Sequence, residues 1–297
     1  MTTLTEELEK IRDDHYSGSA EILQQYIDLI KHHYKKGDLR SSFDKNFIIK
    51  NLGQLAKNHP TYFLVQHFVN EATKVIRSGK TEWDINLSNF LKEYELHWKD
   101  ANTMIAAQTE SHFQLVQKTI LLHSNSSALK SLFRLHRPDA AKIRLIQTES
   151  RPQLEGRVQA KFLASLGYNV TLITDASVAL YADMIDMVLL GADAVYKDFF
   201  VNKTGSHLIA LVSQEHGIPL YVLADSRKIW INQDYSRLSQ TISEEPKPSD
   251  EVWEEPPGGI RPENYYFETI PNKWVDLFIT ESEGINGKEI RNLKIKS

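Results

Sequence analysis

From Thr119 onward, short β-branched apolar runs take turns with amphipathic stripes, and few architectures accept that rhythm. Residues 119–122, 143–147, 169–174, 187–190, 220–223 and 275–279 have the length and composition of strands. Between them, Leu154, Val158, Phe162 and Leu166 recur at helical spacing, and Gly167 supplies a stop. Strands alternating with helices predict an α/β fold with a mostly parallel, doubly wound sheet carrying helices on both faces. The first third lacks this alternation. Ile22, Leu23, Tyr26, Ile27 and Ile30 recur with helical period, as do Leu64, Val65, Phe68, Val69, Ala72 and Ile76. A loose stripe through Ile85, Phe90, Tyr94, Trp98 and Ile105 predicts one long helix over 83–112. The expected division is a helical amino-terminal domain, 1–114, and an α/β domain, 115–297.

Composition narrows the chemistry. The 297 residues include no cysteine, which excludes disulfides, thiolate metal sites and cysteine nucleophiles. His123 has no companion ligand at metal-binding spacing, so neither a metal nor a cofactor is expected. A net charge of -4 argues against direct nucleic-acid binding. The polar, acidic start fits neither a signal nor a transit peptide, and no apolar window approaches the roughly 18 residues of a membrane span. The expected location is therefore cytoplasmic, with no membrane partner. Residues 243–262 hold six carboxylates among prolines and a Gly258-Gly259 pair, and are expected to form a mobile acidic loop or a partner-docking loop anchored by Trp253.

Open α/β sheets bind ligands beyond the carboxyl ends of their strands. The polar residues there are the candidate site. His123, Ser124, Asn125, Ser126 and Ser127 follow the first strand as a turn able to cap a helix and present N–H groups to an anion. Thr148 to Pro152 follow the second, with Pro152 suited to a first helical turn and Arg151 able either to grip a phosphate or to pair with Glu149 or Glu155. Asp175 follows the third strand as a cap. Asp193 follows the fourth, where a carboxylate is costly unless it has a task or a partner. A polar loop then carries Asn202, Lys203 and Gly205 into a helix, placing an ammonium near Asp193 and favouring a small anionic ligand.

Several of these residues together resemble the translation initiation factor 2B alpha/beta/delta-like family. They are Thr148-Glu149-Ser150-Arg151-Pro152 with Glu155-Gly156, Leu172 to Asp175, Gly191-Ala192-Asp193, Asn202-Lys203-Thr204-Gly205 and Gly217-Ile218-Pro219. That family includes regulatory subunits of a guanine-nucleotide exchange factor and isomerases for methylthioribose-1-phosphate and ribose-1,5-bisphosphate. The resemblance implies a Rossmann-like carboxyl domain, a cleft toward the helical domain, and a homodimer or family hetero-oligomer. In the amino domain, Ser17-Gly18-Ser19 and His59-Pro60-Thr61 stand where the family has ligand-facing motifs.

The resemblance also assigns roles. In the isomerases a cysteine and the aspartate of Gly-Ala-Asp exchange protons; here Asp193 is kept and Ser124 stands for the cysteine. Ser17 and His59 replace phosphate-binding arginines, and Glu155 replaces a glutamine. Each exchange removes positive charge or adds negative charge. The main expectation is consequently a non-catalytic regulatory subunit that binds a sugar phosphate or nucleotide. Lys203 and Arg151 would be charge partners, Asn202 and Ser124 donors, and Asp193 an acceptor, while Glu155 would disfavour two phosphates. The alternative is an aldose-ketose isomerase of a phosphorylated ribose, with His123 or a water standing in for the thiol. Trp274, Leu277, Phe278 and Ile279 are the residues expected either at the homodimer contact or in the core.

Overall fold

Runs of apolar residues long enough for one buried strand each form a single sheet. The computed structural model describes residues 4–14, 19–37, 45–60, 62–79, 82–231 and 247–292. They fall into two compact units, Met1–Asp100 and Ala101–Ser297. The first unit contains α1 (Leu4–Arg12), α2 (Ser19–Lys36), α3 (Lys45–Asn58), α4 (Phe63–Ser78) and α5 (Trp83–Trp98). Its core holds the two helical stripes read from the sequence, with Ile22, Val65, Phe68, Ala72 and Ile76 all fully buried. In α5, Trp83, Leu87, Leu91 and Tyr94 are buried and Phe90 and Trp98 pack against the same core, so of the expected stripe there only Ile85 is exposed.

The long helix expected over 83–112 is two helices. α5 ends at Trp98, and α6 (Ala101–His112) begins the second unit. The unit boundary thus precedes the composition change at Leu115, because Ile105, Ala106 and Leu115 pack into the same core as strand residues Ile120, Leu122 and Leu189.

The second unit is built on a seven-stranded sheet in the order β10-β9-β7-β4-β1-β2-β3. Its strands are β1 (Thr119–Leu122), β2 (Arg144–Thr148), β3 (Asn169–Ile173), β4 (Met187–Gly191), β7 (Leu220–Leu223), β9 (Leu277–Ile279) and β10 (Gly284–Asn286). All pairings are parallel except that of β9 with β10. β1 and β4 are buried throughout, as expected of central parallel strands. Alternate residues feed opposite layers: Ile120, Leu122 and Leu189 face one, Leu121, Val188 and Leu190 the other. α7 (Ser127–Leu135) and α8 (Glu155–Ser165) cover the first face, and α9 (Ser206–His216) with the 3-10 helix Asp175–Met184 covers the second. The fully buried side of α8 is Gly156, Gln159 and Leu163; of the expected stripe, Phe162 and Leu166 pack against the core and Val158 is exposed.

A second sheet was not foreseen. β5 (Ala194–Val195), β6 (Phe199–Lys203) and β8 (Phe267–Pro271) form an antiparallel trio in the order β5-β6-β8. Asn202 and Lys203 are therefore strand residues, not loop residues. The expected dimer residues Phe278 and Ile279 lie in the core, and Trp274 packs against it beside His207. Leu277 is partly buried against the core on the other face of the sheet. Among the described residues no helix is long and apolar enough to cross a membrane.

Candidate functional site

The chain leaves β1 for β2 and β3 on one side and returns at β4 beside β1, so the crevice between the ends of β1 and β4 is the topological switch point. His123 and Ser124 leave β1 there, and Asp193 leaves β4.

His123 is fully buried. Its Nε2 is 3.0 Å from the Thr204 carbonyl, which can only accept, so Nε2 carries the proton. Nδ1 then accepts from the Thr148 hydroxyl at 2.6 Å. Burial pushes the imidazole down to about 4, against the pull of Asp175 4.0 Å away, so the ring is neutral at pH 7. Gly205 has φ +108°, and a Cβ there would meet His123 Cε1 at 2.9 Å, so glycine is needed both for the turn and for the ring. With both nitrogens committed, His123 is not available to replace a thiol.

The Ser124 turn is held by a polar scaffold. Ser124 and Ser150 both adopt left-handed backbone, φ 64° and 60°, a strained state for serine that concentrates at functional sites. Ser124 N–H donates to Ser150 Oγ at 2.8 Å, and Gln147 Nε2 donates to the Ser124 carbonyl at 3.2 Å. Gln159 Nε2 donates to Gln147 Oε1 at 3.0 Å, while its own Oε1 accepts from Ser126 N–H at 2.8 Å. Gly156 is required because a Cβ would meet the Thr148 carbonyl at 1.9 Å. Ser126 caps α7. Asn125 is exposed and Ser124 half-buried.

Asp175 does not cap the helix it begins. Its two oxygens accept from the Ser150 and Arg151 N–H groups at 2.8 and 2.7 Å, tying the loops after β2 and β3 together. The Arg151 side chain is exposed and reaches the Glu251 carbonyl at 3.3 Å, pairing with neither Glu149 nor Glu155. Glu149 instead takes Arg157 at 2.7 Å. Pro152 precedes the helix rather than entering its first turn.

Asp193 N–H pairs with the Val201 carbonyl at 2.8 Å, which brings the β4 end against β6. No described residue hydrogen-bonds its carboxylate. Desolvation raises its pKa, opposed by the nearby Lys228 and Lys203 charges and reinforced by Glu155. Lys203 is buried, its Nζ 2.6 Å from Glu155 Oε1 and 4.5 Å from the centre of the Tyr266 ring. Buried Asn202 donates to Ser206 Oγ at 2.9 Å. Asp193, Lys203, Glu155, His123 and Ser124 are thus brought together in one unit.

The other expected ligand residues lie elsewhere. His59 is buried in the first unit, its Nε2 3.4 Å from the Ile11 carbonyl and its ring stacked on Tyr62. Ser17 and Gly18 lie outside the described residues. So do 243–246 of the acidic segment. Within the chain, residues 247–262 are tied down by Glu251, whose carboxylate accepts from the Tyr266 hydroxyl at 2.6 Å and Asn264 Nδ2 at 2.8 Å, while Trp253 is exposed. Two site residues escaped the sequence reading. Lys228 donates to the Ala192 carbonyl at 2.6 Å, and Glu268 Oε1 accepts from Gly205 and His207 N–H at 2.7 and 2.8 Å. Asp225-Ser226-Arg227-Lys228 follows β7 directly, a polar cluster at a strand end that could have flagged Lys228.

The sequence pattern of the Initiation factor 2 subunit family matches residues 16–287. A ribose 1,5-bisphosphate isomerase of Methanocaldococcus jannaschii is 35% identical over 164 residues, covering 55% of this chain and 53% of that protein, so the match spans about half of the relative's length. A protein of the same name from Archaeoglobus fulgidus is 26% identical over 286 residues, covering 95% and 89%. Among solved structures, 5-methylthioribose 1-phosphate isomerase from Pyrococcus horikoshii OT3 superposes with a TM-score of 0.79 at 21% identity, covering 98% of this chain and 86% of that one. The expectation of a non-catalytic regulatory subunit is corrected by these relatives, which carry the names of isomerases. These isomerases do not support translation initiation as a function, and a putative translation initiation factor eIF-2B subunit 2-like protein of Pyrococcus furiosus, 33% identical over 163 residues, covers only 54% of this chain and 55% of its own length.

Proposed function

The chain belongs to the initiation factor 2 subunit family, and from that premise we propose that it is an aldose-ketose isomerase acting on a phosphorylated ribose. The observation that carries the reading is Asp193: a carboxyl group that no described residue hydrogen-bonds, with a raised pKa, at the switch point of the sheet. Such a group is a stronger base than an ordinary aspartate and costs stability that only a task offsets.

In a furanose phosphorylated at C1, the C1–O4 bond breaks, O4 gains the proton lost from the C2 hydroxyl, and the hydrogen on C2 moves to C1. The carbon skeleton exchanges oxidation levels between C1 and C2 with no net redox change. Asp193 would take the proton from C2 and return it to C1. The Lys203 and Lys228 charges, both near enough to act on Asp193, would stabilise negative charge developing on the sugar oxygens. Ser124 would contribute a hydrogen bond rather than a proton, since a hydroxyl does not ionise near neutrality. The fold neighbours and the names of the relatives support the same reaction class.

The test is incubation of the purified protein with ribose phosphates and NMR detection of the C2 ketone. Turnover is expected, with loss in Asp193→Asn. Full turnover in that variant would remove Asp193 from the chemistry.

A further inference from the structure

Lys203 is the cation best placed to receive a substrate phosphate, yet its ammonium is already enclosed. Glu155 Oε1 holds it at 2.6 Å, the Tyr266 ring covers it at 4.5 Å, and the side chain is 3% exposed. Tyr266 is fixed in turn by donating to both Glu251 oxygens, at 2.6 and 2.7 Å. The neighbouring amino end of α9 is a second natural anion seat. It too is filled by a carboxylate, since Gly205 and His207 N–H both donate to Glu268 Oε1. A phosphate entering beside Lys203 would meet two carboxylates and an ammonium already paired with one of them.

The same corner wants something else. Glu155 Oε2 is buried without a hydrogen-bond partner among the described residues. No described residue hydrogen-bonds the nearby Asp193 carboxylate, which senses the Glu155 charge. Ionised carboxylates only accept, so a buried orphan oxygen calls for a donor. Resting on the isomerase reading, we infer that Glu155 sets substrate specificity. The site takes a ribose bearing a single phosphate, whose other end presents a hydroxyl to Glu155 Oε2 rather than a second phosphate to Lys203.

The test is titration calorimetry of the full chain with four sugars: ribose 1-phosphate, ribose 5-phosphate, ribose 1,5-bisphosphate and 5-methylthioribose 1-phosphate. The better monophosphate of ribose is expected to bind at least tenfold more tightly than the bisphosphate, and more tightly than the methylthio sugar, which lacks the donor. Glu155→Gln, which keeps the shape and frees Lys203, is expected to tighten bisphosphate binding about tenfold. A wild-type preference below threefold, or binding of none of the four, overturns the inference even where Glu155→Gln fails to fold. So does an equal or tighter hold on the methylthio sugar. Turnover combined with bisphosphate preference would keep the isomerase and remove this inference, whereas monophosphate preference without turnover would do the reverse.

Discussion

His123 and Asp193 leave neighbouring strands of one sheet at the same edge, and the protein completes the one while leaving the other open. The imidazole has a partner on each nitrogen and gives up its charge. The carboxylate has flanking lysines but no hydrogen bond from any described residue, and its pKa moves up. Burial drives both shifts, since it disfavours whichever form is charged. The difference is in satisfaction: a fully bonded group holds the fold together, while an unsatisfied one stores free energy that a ligand can claim. On the proposed reading, His123 is the structural member and Asp193 the functional one.

The largest test of that contrast is Asp193→Asn. Turnover of the substrate should fall about 10³-fold, equivalent to ~4 kcal/mol of barrier. Its melting temperature at pH 7 should stay or rise, because a raised carboxyl pKa means that the folded state disfavours the charge. A large drop in melting temperature would make Asp193 structural. His123→Ala should show the opposite pattern. It strands the Thr204 carbonyl in the interior, takes one of the two hydrogen bonds of the Thr148 hydroxyl and leaves a cavity, and denaturant titration should report a loss of ~3 kcal/mol.

A pH series probes the same residue without mutation. Between about pH 6.5 and 4 the unfolded chain protonates His123 and the folded chain does not. Its contribution is therefore complete above pH 6.5 and is lost as pH falls through that window, on the order of 3 kcal/mol in all. His123→Ala should flatten that part of the curve. The smallest effect belongs to Arg157→Ala, which removes the Glu149 partner from a half-exposed position. Stability should change by at most about 1 kcal/mol, and a larger loss would show that pairing at the rim also supports the site.

Much of this organisation was legible beforehand. The strands Thr119–Leu122 and Leu220–Leu223 have the bounds read from the sequence, because an unbroken apolar run leaves a buried parallel strand little room to shift. The nearness of Lys203 to Asp193 was expected too, but of a loop, whereas the antiparallel pairing of β5 with β6 is what brings Lys203 back to the end of β4. Other features were hidden. β5 has two residues and β6 ends in Asn202 and Lys203, so neither looks like a strand until β8 arrives from much later in the chain. The burial of Gln159 in α8 was missed because the residue is polar, and its amide is accepted into the interior by Gln147 and the Ser126 N–H group.

The sequence by itself determined the local alphabet of this protein: hydrophobic period set strands and helices, and their alternation set the parallel sheet and the edge at which polar residues gather. Those properties arise among near neighbours in the chain. Tertiary structure alone decided which polar groups are satisfied. Whether Lys203 is open to a phosphate or closed by Glu155 and Tyr266, and whether a buried ring or carboxyl finds partners, depends on residues far apart in sequence. Their meeting is enforced by packing, and hydrogen-bond geometry acts only over a few ångströms.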